Sequence, residues 1–246
     1  MRASSGSAVM EPGPRTNELL AQLPDGEWAL LEPHAVVVTL KLSELLFTDE
    51  QPADLTYFPI TAIVSMIAEM ANGDECEYGC IGREGMLGLQ AALGAQALRG
   101  RALCQLRGLA VRLDGKILRK VTVSGDAPEL HRLLLRYAQT TINVLAQSAA
   151  CNALHSVSQR TARWLLQTRD RAGSDSFSLT QEFLAKMLGV RRASVTAIAV
   201  DLQDRGIIAY GRGHIEILDG SRLEAQSCEC YAVLREQYAQ AVGTGT

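Results

Sequence analysis

The chain lacks any uninterrupted run of about 18 apolar residues, so no segment is suited to cross a membrane as a helix. Residues 1–17 are rich in Ser, Gly, Ala and Pro and lack the continuous apolar stretch of a signal peptide. A segment of that composition buries too little apolar surface to fold. We therefore expect a cytoplasmic protein in which residues 1–17 form a disordered tail.

A strong charge of either sign is also missing. The 24 Lys and Arg residues nearly balance the 27 Asp and Glu residues, which leaves a net charge of −3. The composition as a whole therefore gives no sign of a polyanionic partner, and a nucleic-acid surface would have to come from local charge. Apolar residues make up 47% of the 246 positions, enough for a substantial core in one large or two modest domains.

Cysteine pairs with the spacing of common zinc sites are absent. None of the six cysteines belongs to a CxxC pair, and both Cys76-x3-Cys80 and Cys228-x-Cys230 match zinc-site spacings poorly. In a cytoplasmic protein we expect reduced thiols, no metal and no cofactor. Two alternatives stay open: Cys228 and Cys230 could form a redox or metal pair, and Cys151 or His155 could have a sensing role.

The region from Leu19 to Leu113 has the pattern of short strands separated by turns. Asn72-Gly73, between two of these strands, is typical of a hairpin turn. Many short strands at regular spacing favour a barrel or roll. The predicted strands are Val36–Leu40, Leu45–Phe47, Leu55–Phe58, Ala62–Met70, Glu75–Ile81 and Leu103–Leu113.

Proline and glycine are both absent between Pro128 and Gly173, which predicts one long helix across this interval. A helix of about 40 residues would extend about 60 Å, more than a small domain can cover, so we expect it to pair with a second copy. The alternative is an amphipathic helix packed on its own domain. Positions at alternating steps of four and three form the predicted dimer seam: Leu130, Leu134, Tyr137, Thr141, Val144, Ser148, Cys151 and His155.

Residues 180–205 have the pattern of a helix-turn-helix. Thr180 suits an N-cap, Gly189 suits a left-handed turn position, and a second helix starts near Arg191. One face of that helix is apolar, and the other carries small or basic residues near its N-terminal end, as a helix entering a DNA major groove requires. The predicted buried stripe is Val195, Ile198, Ala199 and Leu202, and the predicted outward face is Arg191, Arg192, Ser194 and Ala197, with Thr196 at its edge.

Two short strands around Gly211-Arg212-Gly213 predict a wing after this unit, with Arg212 at its tip within reach of a DNA phosphate. Residues 223–240 are predicted to form a last helix, followed by a frayed tail at 243–246. Two other interpretations stay open: a winged helix used for protein contacts, and an ordinary helical hairpin with surface arginines.

The order of these parts resembles the Crp/Fnr family of bacterial transcription regulators over roughly residues 19–222. The resemblance rests on LTQEFLAKMLGVRRASVT at 179–196, the wing, QRTARWLL at 159–166, and the stretch from YFP at 57–59 to GREGMLG at 82–88. It implies an α+β fold with a cyclic-nucleotide-binding-like β-roll at 18–127, a dimerisation helix at 128–172 and a winged helix-turn-helix domain at 173–246.

The resemblance also implies roles for residues of the helix-turn-helix. Arg192 matches an arginine that reads a guanine in the family. The acidic reader that follows falls on Ala193, and a second basic reader falls on Ala197, so the familiar half-site of the family is not expected. The predicted DNA-binding residues are Thr180, Gln181, Arg191, Arg192, Ser194, Thr196 and Arg212, with phosphate contacts expected from all but Arg192 and Thr196.

The sensor region departs from the nucleotide-binding members. Met86 replaces a glutamate that binds the ribose in those members. Arg99 and Arg101 are not followed by the Ser or Thr that binds the cyclic phosphate there. Leu145-Ala146 replaces a Thr-Ser pair that contacts the base. Losing three such contacts would cost several kcal/mol, or about a thousandfold or more in affinity, so we expect no cyclic AMP binding. The candidates for an effector pocket are Glu84, Met86, Arg99, Arg101 and Leu145.

Other sensing chemistries of the family also fit poorly. No cysteine precedes Cys76, although an iron–sulfur sensor of this family uses N-terminal cysteines, and the four histidines are too scattered to suggest a haem ligand. A metal enzyme on the roll is not expected, since His34 is the one histidine there. We therefore expect a non-enzymatic homodimer that binds a pseudo-palindromic site in double-stranded DNA, with RNA polymerase and an unknown small effector as further partners. The alternative is a ligand- or redox-sensing module that acts through protein contacts.

Overall fold

The computed structural model describes residues 12–48, 54–94 and 100–243. Two short helices, α1 (Glu18–Ala21) and α2 (Asp25–Leu31), precede the first strand, where only strands were predicted. The predicted tail is wrong at its end, because the Asn17 side chain is fully buried. Its oxygen caps α1 and its nitrogen donates to the carbonyls of Pro59 (2.8 Å) and Gly85 (3.0 Å), which fixes this residue against the core. Residues 1–11 lie outside the described part.

Seven strands form the predicted roll. They assemble into a three-stranded antiparallel sheet, β1-β7-β3, and a four-stranded one, β2-β6-β4-β5. The hairpin at Asn72-Gly73 joins β4 to β5 as predicted, with Gly73 at φ +86°. The strands are β1 (Val36–Leu40), β2 (Leu45–Phe47), β3 (Leu55–Pro59), β4 (Ile63–Glu69), β5 (Glu75–Ile81), β6 (Arg101–Leu106) and β7 (Gly108–Asp114).

The predicted strand Leu103–Leu113 is two strands. The chain leaves the four-stranded sheet after Leu106 and enters the three-stranded sheet at Gly108. A Cβ at Gly108 would lie 2.4 Å from the Ala62 nitrogen, so only glycine allows the two backbones to approach this closely. The change of sheet at this point closes the roll around a core that contains Phe58, Val64 and Val111.

Two helices, α3 (Leu89–Ala92) and α4 (Gly115–Val123), flank the roll, and the long helical region follows them. The prediction of one continuous helix is wrong: α5 spans Pro128–Leu154 and α6 spans Val157–Ala172. Ser156 starts α6 with a capping box, in which its side chain accepts from the Gln159 backbone and Gln159 bonds back to it. This local cap offers the backbone an alternative to continuing α5, so the chain turns at His155 and Ser156.

The predicted dimer seam is largely buried in its own chain. Its apolar members Leu130, Leu134 and Tyr137 pack into the roll core, and Val144 and Cys151 pack against the C-terminal helix. The opposite face of α5 is open, with Leu135 51%, Ile142 61% and Leu154 80% exposed. The seam is therefore wrong as a dimer surface at its five buried residues, whereas Thr141, Ser148 and His155 are only half-buried. Both faces of α5 carry large apolar side chains, and periodicity alone does not say which face packs on the roll.

The C-terminal part contains the predicted helix-turn-helix and wing. Its three strands form an antiparallel sheet in the order β8-β10-β9. The predicted last helix is broken at residues 227–229, and residues 244–246 of the predicted frayed tail lie outside the described part. No described helix combines the length and apolarity needed to cross a membrane. The elements are β8 (Ser176–Ser178), α7 (Gln181–Leu188), α8 (Arg192–Asp204), β9 (Ile208–Gly211), β10 (His214–Ile217), α9 (Gly220–Gln226) and α10 (Cys230–Ala241).

Candidate nucleic-acid interface

The helix-turn-helix is built by local caps at the predicted residues. The Thr180 side chain accepts a hydrogen bond from the Phe183 backbone N–H at 3.1 Å and so begins α7. Gly189 ends α7 at φ +63°, a conformation that favours glycine. Arg191, in an extended conformation, then begins α8. These caps fix where the two helices separate.

The two faces of α8 divide as predicted. Val195, Ala199 and Leu202 are at most 4% exposed, and Val195 and Leu202 pack in the core of the C-terminal part. Ile198 is half-buried against the same core. Four side chains on or beside the first two turns are exposed: Arg191, Arg192, Ser194 and Ala197. The N-terminal end of α8 therefore presents two cations and small side chains to solvent.

The wing closes one side of a groove beside this end of α8. The groove has a volume of about 430 Å³ and brings together residues that are far apart along the chain. Arg192 comes from the start of α8, Arg212 from the wing tip, and Gln181 from the start of α7. The lining residues are Thr180, Gln181, Glu182, Arg192, Tyr210, Gly211, Arg212 and Gly213.

Two residues of this surface have geometries that the sequence did not indicate. Thr196 is half-buried, and its hydroxyl donates to Gln181 Oε1 at 2.7 Å, so it positions Gln181 instead of pointing outward. Tyr210 lies on β9 beside Arg192, and burial raises the pKa of its hydroxyl to about 12. Tyr210 is therefore a neutral hydroxyl in the groove. The position of Tyr210 on a strand of the wing was the only sequence signal that could have indicated its place in the groove.

Several polar contacts attach the C-terminal part and α6 to the roll, and three of them involve a charged side chain of the roll. The Trp164 indole N–H donates to Glu77 Oε1 at 3.0 Å, the Arg171 guanidinium donates to Glu84 Oε1 at 2.7 Å, and the Lys186 ammonium lies 3.1 Å from a Glu75 oxygen. Burial raises the pKa of Glu77 to about 7. Burial opposes the charge on Arg171, but the Glu84 carboxylate raises the pKa of Arg171 well above its ordinary value.

The predicted effector-pocket residues have separate surroundings. Glu84 is buried in its ion pair with Arg171, and it lines a cavity of about 190 Å³ between the roll, α6 and α10. Arg101 pairs with Glu69 and Glu75 near the β4–β5 hairpin. Leu145, on α5, lies against Gly79 of β5, and Arg99 falls outside the described residues.

Met86 belongs to the core of the roll. Its side chain is 1% exposed, and its backbone N–H donates to the Tyr137 hydroxyl at 3.0 Å while that hydroxyl donates to its carbonyl at 3.2 Å. The loop that carries a glutamate in nucleotide-binding members is thereby tied to α5 by a buried tyrosine.

Comparison with known proteins agrees with this architecture. A family described as the Crp-like helix-turn-helix domain matches residues 159–226, which contain α7, α8 and the wing. A CRP-like cAMP-activated global transcriptional regulator from Mycobacterium tuberculosis is 25% identical over 222 residues, covering 84% of this chain and 97% of the relative. Residues 159–226 thus match a Crp-like helix-turn-helix domain, and the chain as a whole is similar to a CRP-like transcriptional regulator.

Solved structures share the fold of this chain. FixK2 from Bradyrhizobium japonicum superposes with a TM-score of 0.65 at 17% identity, covering 79% of this chain and 98% of FixK2. A CRP-family transcriptional regulator from Thermus thermophilus gives a TM-score of 0.65 at 18% identity, covering 77% of this chain and 96% of that structure. The β-roll followed by a C-terminal helix-turn-helix, predicted from the sequence, is thereby confirmed.

Proposed function

We propose that this regulator acts as a homodimer on a pseudo-palindromic DNA site, with the start of α8 in the major groove. The observation that carries the proposal is the convergence of Arg192, Arg212 and Gln181 on one open groove beside the exposed end of α8. Two such units related by a two-fold axis would meet half-sites about 34 Å apart.

The side chains at this surface divide into base and phosphate contacts. Arg192 lies at the first residue of α8, where a guanidinium can donate two hydrogen bonds to a guanine. Arg191, Ser194 and Arg212 are exposed around it and would hold phosphates, as would Gln181 and the N-cap residue Thr180. Ala193 and Ala197 offer no hydrogen bonds to base edges, so the operator differs from that of members with charged side chains there.

The dimer forms through the open face of α5 in this proposal. Leu135 and Ile142 are seven residues apart, so they lie on one side of the helix with Ala149, another exposed residue, one heptad further on. A helix of 27 residues spans about 40 Å, long enough for a substantial two-fold contact between two copies. The small side chain of Ala149 would allow close approach of the two helix backbones at that end of the contact.

The roll does not bind cyclic AMP in this proposal, unlike the cAMP-activated relative. Met86 is buried and braced by Tyr137, Glu84 is held by Arg171, and Leu145 packs on Gly79. A nucleotide at these positions would have to replace a buried ion pair and core contacts. The regulator is also proposed to be non-enzymatic and cytoplasmic, and to act on RNA polymerase once bound to DNA.

Selection of bound genomic fragments, followed by affinity measurements on the selected site, tests this function. Arg192→Ala should weaken binding by about 1–3 kcal/mol and relax the sequence preference at one base pair of each half-site. Arg222→Ala is the matched control, because Arg222 is exposed on α9, away from the groove. If no fragment is selected, or if both variants bind like the wild type, the chain acts through protein contacts and the assignment of α8 fails.

A further inference from the structure

Four metal-binding side chains meet at the turn between α5 and α6. Cys151 is in the last turn of α5, and His155 follows the end of that helix. Cys228 lies between α9 and α10, and Cys230 is the first residue of α10. Their three sulfur atoms and one imidazole nitrogen all lie within 4.8 Å of one another. The three cysteines are at most 3% exposed. The sequence separates the two halves of this cluster by more than seventy positions, so its spacings did not indicate a single site.

We propose that Cys151, His155, Cys228 and Cys230 bind one zinc ion in tetrahedral geometry. Zinc–sulfur bonds of about 2.3 Å and zinc–nitrogen bonds of about 2.05 Å place tetrahedral ligand atoms about 3.8 Å (S–S) and about 3.6 Å (S–N) apart. The Cys151 and Cys228 sulfurs are 3.5 Å apart, and the Cys230 sulfur is 3.5 Å from His155 Nδ1. Both separations match a ligand set around one ion.

Neighbouring side chains orient the ligands as outer partners do in metal sites. His155 presents Nδ1 to the sulfurs, and its Nε2 lies 3.2 Å from a Glu229 carboxylate oxygen. A carboxylate on the far nitrogen of a metal-binding histidine fixes the tautomer and ring orientation that coordination requires. The Gln147 amide N–H donates to the Cys230 sulfur at 3.0 Å, which would stabilise a thiolate there.

Other chemistries of three thiols fit this geometry less well. A disulfide requires a sulfur–sulfur bond of about 2.05 Å. It would use two of the three cysteines and would leave the third cysteine and His155 without a role. An iron–sulfur cluster places sulfide and several irons between its thiolates, which needs a wider ligand set than one contained within 4.8 Å. Three thiolates and one imidazole form a common zinc donor set.

A zinc ion here would fasten the C-terminal helix to the turn that connects α5 with α6. The helix α10 already packs on α5 and α6, and the Tyr231 hydroxyl of α10 donates to Asp170 at 2.7 Å. The metal would add coordinate bonds from the end of α5 to the start of α10. It would therefore fix the position of the DNA-binding part relative to the roll.

The test is metal analysis of the full-length protein purified under reducing conditions. We expect one zinc per chain by elemental mass spectrometry. Cobalt titration of the metal-free protein should give the strong visible and near-ultraviolet absorption of a tetrahedral thiolate site. Cys230→Ser should abolish both signals, and Glu229→Gln should lower cobalt affinity about 10- to 100-fold. Cys76→Ser is the matched control, because Cys76 lies on β5 outside the cluster and should leave both signals unchanged.

The cobalt titration of the wild-type protein remains decisive even if Cys230→Ser fails to fold. Absence of bound metal together with no tetrahedral cobalt spectrum would overturn the proposal. So would iron and sulfide in the purified protein, a disulfide between Cys151 and Cys228 found under the same reducing conditions, or equal loss of metal in Cys76→Ser.

Discussion

The Trp164 indole N–H donates a hydrogen bond of 3.0 Å to the Glu77 carboxylate, which joins α6 to strand β5 of the roll. The other carboxylate oxygen, Glu77 Oε2, is buried without a partner among the described residues. Arg163 and Arg171 favour the ionised form, but burial outweighs them and raises the pKa of Glu77 from 4.5 to about 7. The contact between the roll and the DNA-binding part thus contains a carboxyl group with a pKa near neutral pH.

The first prediction is a pH dependence of stability that comes from Glu77. Because its pKa is higher in the folded state than in the unfolded state, the folded state binds more protons between these values. Its favourable contribution is fully present below pH 4.5 and is lost as the pH rises through about 7. The total change is about 3 kcal/mol.

Thermal unfolding of the wild type and of Glu77→Gln from pH 5 to pH 8 measures this effect. The melting temperature of the wild type should fall relative to that of the variant as the pH rises. Glu69→Gln, at the exposed end of β4, serves as the control and should follow the wild type. Parallel curves for the wild type and Glu77→Gln would show that Glu77 is not the titrating group.

The second prediction concerns the wing. Arg212→Ala should weaken binding to operator and to unrelated DNA by similar factors, because a phosphate contact carries no sequence information. The slope of log affinity against log salt should decrease by about 1 per chain. Fluorescence anisotropy at several salt concentrations measures both quantities. A loss confined to the operator would instead place Arg212 on a base.

The third prediction separates the two faces of α5. Ile142→Glu should dissociate the proposed dimer, because it places a charge on the open face of α5. Val123→Glu on α4, at a position that is 69% exposed, is the control. Leu134→Ala should instead lower the free energy of unfolding by about 2–5 kcal/mol without dissociation. Analytical ultracentrifugation and denaturant unfolding report these outcomes. A dimer that survives Ile142→Glu would place the interface elsewhere.

The fourth prediction concerns the β-roll. Isothermal titration with cyclic AMP should give no binding heat, since Met86 and Leu145 occupy positions that contact nucleotide in other members. Tyr137→Phe should lower stability by about 1–3 kcal/mol, because it leaves the Met86 backbone groups unpaired in the core. Saturable binding of cyclic AMP at micromolar concentration would contradict the proposed state of the roll.

Local signals predicted much of the fold. Gly73, Thr180 and Gly189 are each required by a turn or cap within a few residues, so the hairpin and the helix-turn-helix could be predicted from the sequence. The break at Ser156 could not be predicted from the absence of proline and glycine, because a capping box competes with helix continuation. The inward seam of α5 and the approach of Cys151 to Cys228 depend on tertiary packing, which periodicity and spacing do not describe.

Arg212 at the wing tip adopts φ +53°, a left-handed conformation that costs a non-glycine residue roughly 1 kcal/mol or more. Glycine would relieve this strain but remove the cation from the groove. Directed evolution of this protein for heat resistance alone should therefore favour Arg212→Gly. The selected proteins would be more stable to heat and would bind DNA more weakly. A screen that couples survival on heating to DNA binding would retain the arginine.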